Sequence, residues 1–261
     1  MAAFYDEGHE RATIANRQGS GAYVVLCDNA SNHIPAALGT LGLPPSELTR
    51  HIAWDPGAAE VARRMSTLLD APLVESRVSR LVCDCNRPLD APDLVPPLSE
   101  TTVIPGNSDL SEGERARRVA YAHQPFHEGI DALVGERLAA GREVRLVSVH
   151  SFTPVYKGNA RPWPVGILHD EDERLSAPLI AALTALPGLA VGDNQPYSPA
   201  DRVYYTLERH ARRRGLACAM IEIRNDEIAN VEGQDLWARR LADMLGRIVP
   251  AGQAPRKQAT A

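Results

Sequence analysis

The sequence predicts an α/β fold, a three-layer sandwich with a mixed, largely parallel central sheet. Short apolar runs rich in β-branched residues alternate along the chain with segments whose apolar residues recur at helical spacing. Several of the runs are almost continuously apolar, which is typical of interior strands of a parallel sheet. Strands that alternate with helices in this way indicate a sheet packed between helices.

The predicted elements follow one another with little interruption. Residues 58–69 place apolar side chains on one helical face, and Ser111 with Glu114 three positions later forms a capping box that begins another helix. Residues 89–110 are proline-rich and lack periodicity, so we interpret them as a functional loop. The predicted strands are 22–27, 72–75, 80–85, 146–152, 165–168, 189–191 and 217–223. The predicted helices are 58–69, 111–140 with a break near Pro125, 172–186, 204–215 and 234–248.

Length and composition restrict the class of protein. The 261 residues, of which 44% are hydrophobic and 23% charged, suit one soluble globular domain. We predict a single domain over residues 1–261, with residues 1–20 as a polar N-terminal arm and 251–261 as a disordered tail.

Charge and hydropathy exclude several partners. A net charge of -5 with interspersed signs gives no footprint for nucleic acid. The sequence also lacks both the apolar run of about 18 residues that a membrane span needs and the apolar core of a signal peptide. Four cysteines in apolar runs indicate reduced thiols, and together these features predict a cytoplasmic protein.

Ionisable side chains occur within or after four of the predicted strands. They are Asp28, Asp84 (followed by an Asn-Arg pair), His150 and Glu222. Charged residues are almost never buried without a partner, and open α/β sheets bind ligands beyond the carboxyl ends of their strands. We therefore expect at least three of these segments to meet at one cleft.

The residue types limit the chemistry of this cleft. The sequence has no glycine-rich phosphate loop and no GxSxG nucleophile elbow, and cysteines inside apolar strands are usually inert. A metal held by His150 and a carboxylate, Glu222 as a base, and an arginine for an anionic substrate would use the groups that remain.

Structural roles are the alternative for each of these residues. His150 taken by itself is better interpreted as a satisfied core histidine, and the alternative for Arg87 is a structural ion pair with Asp84. Glu222 and Arg224 share one strand face, so they can form a pair without excluding catalysis. The remaining histidines of the interior are interpreted as packing or capping residues: His51, His123, His127 and His210.

Motifs along nearly the whole chain, from about residue 22 to 248, resemble the N-formylglutamate amidohydrolase family. They include Asp28-Asn29-Ala30-Ser31-Asn32 before Ile34-Pro35, and the segments 51–58, 79–82, 84–88, 148–154, 192–197 and 222–224. The family's fold resembles that of zinc-dependent exopeptidases and aspartoacylase. The resemblance implies hydrolysis of the amide bond of a small N-acyl amino acid, with N-formyl-L-glutamate as the leading substrate and Zn²⁺ as the cofactor.

The same resemblance implies roles for individual residues. Glu222 would activate water, and His150 and the residue at position 29, here Asn29, would be metal ligands. To these we add Asp55 as the acid of the metal site. The residues implied to bind the substrate are Arg80, Asn86, Arg87 and Arg224.

Position 29 departs from the family pattern, which usually has histidine there. An asparagine amide oxygen is a poor zinc ligand, and neighbouring His33 is a possible replacement. This departure motivates a second hypothesis, in which the chain is a metal-free pseudo-enzyme that binds a carboxylate ligand without catalysis.

Overall fold

A computed structural model describes residues 8–248 and shows a central seven-stranded sheet between two layers of helices. Two small two-stranded hairpins lie outside this sheet. The strands are β1 (Ala12–Ala15), β2 (Tyr23–Cys27), β3 (Leu73–Ser76), β4 (Leu98–Ser99), β5 (Thr102–Val103), β6 (Arg145–Phe152), β7 (Val155–Tyr156), β8 (Asn159–Ala160), β9 (Val165–Leu168), β10 (Val191–Asp193) and β11 (Cys218–Arg224). The α-helices are α1 (Ala58–Leu68), α2 (Glu112–Arg118), α3 (Gln124–Ala139), α4 (Ser176–Thr184), α5 (Tyr205–His210) and α6 (Val231–Arg247).

The sheet is mixed and mostly parallel, as predicted. Its strand order is β1-β3-β2-β6-β11-β9-β10. Strands β3, β2, β6 and β11 run parallel to one another, whereas β1 and β9 are antiparallel to their neighbours β3 and β11. The carboxyl ends of the four central strands therefore meet at one edge, where side chains far apart in sequence come together.

A hydrophobic core lies on each face of the central sheet, between the sheet and a layer of helices. Successive residues of a strand point alternately into one core and the other. Val25 and Ile221 pack on the face that α1, α4 and α6 cover. Leu26 and Met220, each one residue away, pack on the opposite face under α3 and α5. This alternation of successive side chains confirms the predicted three-layer sandwich.

Residues 80–85 were predicted to be a strand, which is wrong. The segment is a buried turn, in which the Ser79 hydroxyl accepts a hydrogen bond from Leu81 N at 3.2 Å and donates one to Ala53 O at 2.7 Å. Leu81 and Cys83 are buried in two small separate clusters. An apolar run indicates that a segment is buried but does not determine its backbone conformation. Here the segment forms a turn that the Ser79 side chain stabilises, and it does not pair with a neighbouring strand.

The stretch before Gly21 contributes a strand that the predicted polar arm did not include. Residues Ala12–Ala15 pair antiparallel with β3 at the sheet edge. The last helix begins earlier than predicted, because the Asn230 side chain accepts from Gly233 N at 2.9 Å and caps it. The cap at Ser111 is confirmed, since its hydroxyl accepts from Glu114 N.

Two further expectations concern the cysteines and membrane segments. All four cysteines are free and buried, as predicted, although Cys83 and Cys85 lie in the turn rather than in a strand. Within the described range, no helix has the length and apolar character to cross a membrane. The predicted tail, 251–261, lies outside the described residues.

Candidate active site

A polar cavity of about 190 Å³ opens at the carboxyl ends of the central parallel strands. This is the edge at which open α/β sheets bind ligands. The lining combines side chains from the ends of β2, β6 and β11 with the turn after β3 and the hairpin β4–β5. Its residues are Asn29, His51, Asp55, Arg80, Asp84, Asn86, Arg87, Asp93, Pro96, Leu98, Ser99, Glu100, His150, Ser151, Tyr156, Tyr197, Val203 and Glu222.

His150 lies at the centre of the site, with a carboxylate on each side of its ring. Its Nδ1 is 2.9 Å from Asp55 Oδ2, and its Nε2 is 3.0 Å from Asp28 Oδ2. Ser148 Oγ donates to Asp28 at 2.7 Å and lies 2.9 Å from His150 Nε2, so Nε2 carries a proton and donates. Burial alone would lower the pKa of His150, but the two carboxylates raise it well above its usual value.

Asp28 is buried behind His150 and faces the core rather than the cavity. Burial would raise the pKa of this carboxyl, but hydrogen bonds and the charge of His150, together with the Thr206 and Ser148 hydroxyls, lower it to about 2. Asp28 is thus an ionised partner that orients the ring. The sequence pointed to Asp28 as a strand-end acid, whereas nothing local pointed to Thr206, which lies 178 residues away.

Glu222 lies beside His150 on the neighbouring strand, and the two residues are paired in register between β11 and β6. The side chain is buried, and its Oε2 has no hydrogen-bond partner among the described residues. Burial raises the pKa of Glu222 to about 7, with Asp55 adding to the effect and the cationic groups opposing it. A carboxyl group poised near neutrality in a cavity has the properties of a general acid–base.

The two cavity arginines are each paired with carboxylates. Arg80 Nη2 forms a very short hydrogen bond with Asp55 Oδ1. Arg87 Nε donates to Asp93 Oδ2 at 2.7 Å, and its Nη1 is 3.8 Å from Asp84. The predicted ion pair between Arg87 and Asp84 therefore exists, and it coexists with a place in the cavity lining.

Asn86 lines the cavity but uses much of its side chain internally. Its Oδ1 accepts from Thr206 N at 3.1 Å, and its Nδ2 donates to Val203 O. Asn86 thus attaches the turn after β3 to the start of α5.

Arg224 and His33, like Asp28, lie outside this lining. Arg224 forms ion pairs with Asp226 at 2.7 Å and with Glu227 at 3.2 Å. These two nearby acids, rather than Glu222, are its partners. The His33 ring stacks on His9, with centroids 3.6 Å apart.

His51 belongs to the cavity, although the sequence suggested a packing role. Its Nε2 lies 3.2 Å from Glu100 Oε2, and both residues are part of the lining. Glu100 is carried by the hairpin β4–β5, in the proline-rich stretch that we interpreted as a functional loop. No periodic signal in that stretch indicated which residue would reach the cavity.

Three potential metal donors of different kinds meet in the cavity: an imidazole, a carboxylate and an amide oxygen. His150 Nδ1 and Asp55 face each other, Asn29 Oδ1 is a buried oxygen without a hydrogen-bond partner in the described chain, and all three residues line the cavity. Asp28 on the far ring nitrogen is the carboxylate that a metal-bound histidine usually has behind it. Among residues 8–248, no group of three or more His, Cys, Asp or Glu side chains is arranged to hold a metal. The third donor here is an amide.

Comparison with known proteins agrees with this architecture. The chain is 44% identical to the gene product Atu2144 from Agrobacterium tumefaciens, with a TM-score of 0.92, over 94% of this chain and 98% of that structure. An N-formylglutamate amidohydrolase from Ralstonia eutropha JMP134 has the same fold, with a TM-score of 0.62 at 19% identity, over 91% of this chain and 96% of that one. No curated protein is significantly similar in sequence.

A family model for N-formylglutamate amidohydrolase matches residues 21–229, a range that contains every residue of the cavity lining. The match extends from β2 to the turn after β11, and it therefore covers the four central parallel strands whose carboxyl ends form the site. The chain is an amidohydrolase that belongs to the N-formylglutamate amidohydrolase family.

Proposed function

We propose that this protein hydrolyses the amide bond of an N-acyl amino acid, with N-formyl-L-glutamate, which would give L-glutamate and formate, as the leading substrate. The observation that carries the proposal is the buried carboxyl of Glu222, which has a free oxygen beside His150 in the cavity and a pKa raised by burial to about 7. Family membership supports the same reaction class.

In the proposed reaction Glu222 takes one proton from water as the water oxygen attacks the acyl carbon. The same carboxyl then delivers that proton to the amide nitrogen as the C–N bond breaks, so the products are a free amine and a carboxylic acid, and the acid passes its remaining proton to the amine or to solvent. Its raised pKa suits both steps, because a group that titrates near the working pH is an effective base and an effective acid.

We infer that Zn²⁺ is the cofactor and that His150 Nδ1, Asp55 and Asn29 would hold it. When bound, zinc supplies Lewis acidity and lowers the pKa of a coordinated water to about 7. Asp28 and Ser148 keep the His150 ring oriented by accepting from Nε2.

Arg87 is the proposed partner of the substrate carboxylate, with Arg80 and Asn86 beside it. Arg87 is paired with Asp93, whose side chain is 48% exposed. If a substrate carboxylate takes the place of Asp93 beside Arg87, water can solvate the Asp93 carboxylate. Arg80 is bound to buried Asp55 and is therefore less available. The four buried free thiols support our inference that the protein works in a reducing compartment such as the cytoplasm.

The direct test is release of the carboxylic acid from N-formyl, N-acetyl and N-succinyl derivatives of glutamate and other amino acids, with zinc added. We expect the N-formyl-L-glutamate reaction to have the highest kcat/KM. Absence of turnover across the whole panel would refute the proposed activity.

A metal-free binding protein remains the second candidate, and Asn29 favours it because an amide oxygen is a weak ligand for zinc. Metal analysis of protein purified without chelators discriminates between the two. An enzyme of the proposed kind contains about one zinc per chain, whereas a pseudo-enzyme contains no stoichiometric zinc and still binds an N-acyl amino acid through Arg87.

A further inference from the structure

Three buried histidines form a cluster behind the cavity, between α3 and α5. They are His123, His127 and His210, which are exposed by 2%, 0% and 0%. None of the three lines the cavity, and the proposed reaction uses none of them.

Two of these rings bind the backbone on either side of Asn86. His127 Nε2 lies 2.9 Å from the carbonyl oxygen of Cys85, and His123 Nε2 lies 3.1 Å from that of Arg87. A carbonyl oxygen only accepts hydrogen bonds, so each Nε2 carries a proton and donates. The segment that presents Asn86 and Arg87 to the cavity is therefore held at both of its flanking carbonyls.

A π-helical turn precedes α3 and ends at His123. Residues Val119–His123 form this turn between α2 and α3. Such turns widen a helix by one residue and are frequent at functional sites. His123 and His127 are four residues apart, with ring centroids 4.1 Å apart, and thus both rings face the same backbone segment.

His210 holds His127 in the orientation that this contact needs. His127 Nδ1 and His210 Nε2 lie 2.7 Å apart and form a hydrogen bond that joins the two rings. The other ring nitrogen of His210 lies 3.0 Å from Asp131 Oδ1, on the turn of α3 after His127.

The other side of Asn86 is fixed by α5 and the residues before it. Asn86 bonds the backbone of Val203 and Thr206, and the Thr206 hydroxyl donates to Asp28, the carboxylate behind His150. The histidine cluster therefore acts on the same short segment that connects the substrate-binding side of the cavity to His150.

We propose that His127, supported by His210 and joined by His123, is a positioning residue for substrate binding, because it fixes the carbonyls around Asn86 and so sets the position of Arg87. The proposal rests on the proposed function in one respect, namely that Arg87 binds the carboxylate of the substrate.

The first experiment needs no substrate. His127→Leu removes the donor to Cys85 O, His127→Gln keeps an amide donor near the same place, and Tyr23→Phe is the matched control. Tyr23 is also buried and donates to a backbone carbonyl, that of Leu245 at 2.7 Å, at the opposite end of the sheet. Amide hydrogen exchange at Asn86, Arg87 and Thr206 is measured in all three.

Faster exchange at these amides in His127→Leu, with partial recovery in His127→Gln and none of the effect in Tyr23→Phe, supports the proposal. Exchange equal to that of the wild type in His127→Leu overturns it. Because this readout is independent of catalysis, it stands even if no N-acyl amino acid is hydrolysed, in which case the proposed function fails by itself.

The second experiment measures kcat and KM separately. His127→Leu is expected to raise KM by roughly tenfold to a hundredfold, as a misplaced binding group does, and to leave kcat nearly unchanged. The effect should disappear when Arg87 is already replaced, in the double variant His127→Leu/Arg87→Gln. An equal further loss in the Arg87→Gln background, or a fall in kcat alone, identifies a merely structural role and overturns the proposal.

Discussion

His150 and His127 are both buried histidines, yet their surroundings favour opposite charge states. His150 is 3% exposed and lies between two aspartates, which raise its pKa well above the usual value despite burial. His127 is fully buried and contacts a carbonyl oxygen and a neighbouring imidazole, and burial lowers its pKa well below the usual value.

The contrast shows that the partners of a buried ring, rather than burial itself, decide its charge. Desolvation disfavours the imidazolium in both places, and at His150 the two flanking carboxylates reverse this. The first arrangement keeps a proton on both ring nitrogens of His150, and a metal bound at Nδ1 would have to displace one of them, because a histidine ligand is neutral. The second suits a neutral donor that holds backbone in place.

The largest effect on the catalytic side of this comparison is expected for Glu222→Gln. Removing the proton acceptor should lower kcat by about 10²- to 10⁴-fold, while the fold survives because the amide occupies nearly the same volume. Glu75→Gln is the matched control, since Glu75 is also a buried strand glutamate but pairs with Arg63 outside the cavity lining. A rate equal to that of the wild type would remove Glu222 from the mechanism.

The next effect concerns the carboxylate behind His150. In Asp28→Asn the ring loses its anionic acceptor, and zinc affinity should fall by roughly 10- to 100-fold, as for other partners of metal-bound histidines. Competition with a chelating dye measures this on metal-stripped protein. Asp93→Asn, a cavity acid paired with Arg87, should bind zinc as the wild type does. Equal affinities in Asp28→Asn and the wild type would show that Asp28 does not support a metal ligand.

His123, in the same histidine cluster, predicts a pH dependence of stability. Burial lowers the pKa of His123 to about 4; Arg209 adds to this, and Arg87 O, Asp84 and Asp28 oppose it. The unfolded chain takes up a proton near pH 6.5, but the folded chain does so only near pH 4. The contribution of neutral His123 to the free energy of unfolding is therefore complete above pH 6.5 and is lost as the pH falls towards 4.

Between pH 7 and pH 5 we expect the free energy of unfolding to fall by about 2 kcal/mol through His123. Urea unfolding at the two pH values, in the wild type and in His123→Gln, measures this contribution. The fall should be smaller by that amount in the variant. If the free energy of unfolding falls equally in the wild type and in His123→Gln, His123 takes up its proton at the same pH in the folded and the unfolded chain.

The smallest effect is expected at Arg224, which the resemblance places among the substrate-binding residues. Its guanidinium is paired with Asp226 and Glu227, and the residue is not part of the cavity lining. Arg224→Gln should change KM by less than about twofold, since pairs of this kind contribute little. A large rise in KM would show that Arg224 turns towards the substrate.

Local sequence patterns predicted the elements that hold the site. The strands that end near Asp28, His150 and Glu222 were located to within one or two residues, because short apolar runs rich in β-branched residues favour buried strands. Parallel strands bring their carboxyl ends to one edge, so convergence of strand-end side chains was predictable as well.

Partners from distant segments were not predictable in the same way. Asp55 reaches His150 across 95 residues, and Thr206 reaches Asp28 across 178. The edge strand at Ala12–Ala15 forms only because β3 offers an unpaired side, and the turn at residues 80–85 forms because Ser79 finds Ala53.

By itself, the sequence determined the α/β class, the positions of the central strands, the family, and the residue types available for chemistry. Each of these depends on local periodicity or on short motifs, which are present in the sequence before any tertiary contact forms. Only the tertiary structure decided that His150 lies between two carboxylates, that both cavity arginines are already paired, and that a second group of histidines holds the Asn86 segment. Charge state and availability depend on what surrounds a side chain, and those surroundings exist only once distant segments have packed together.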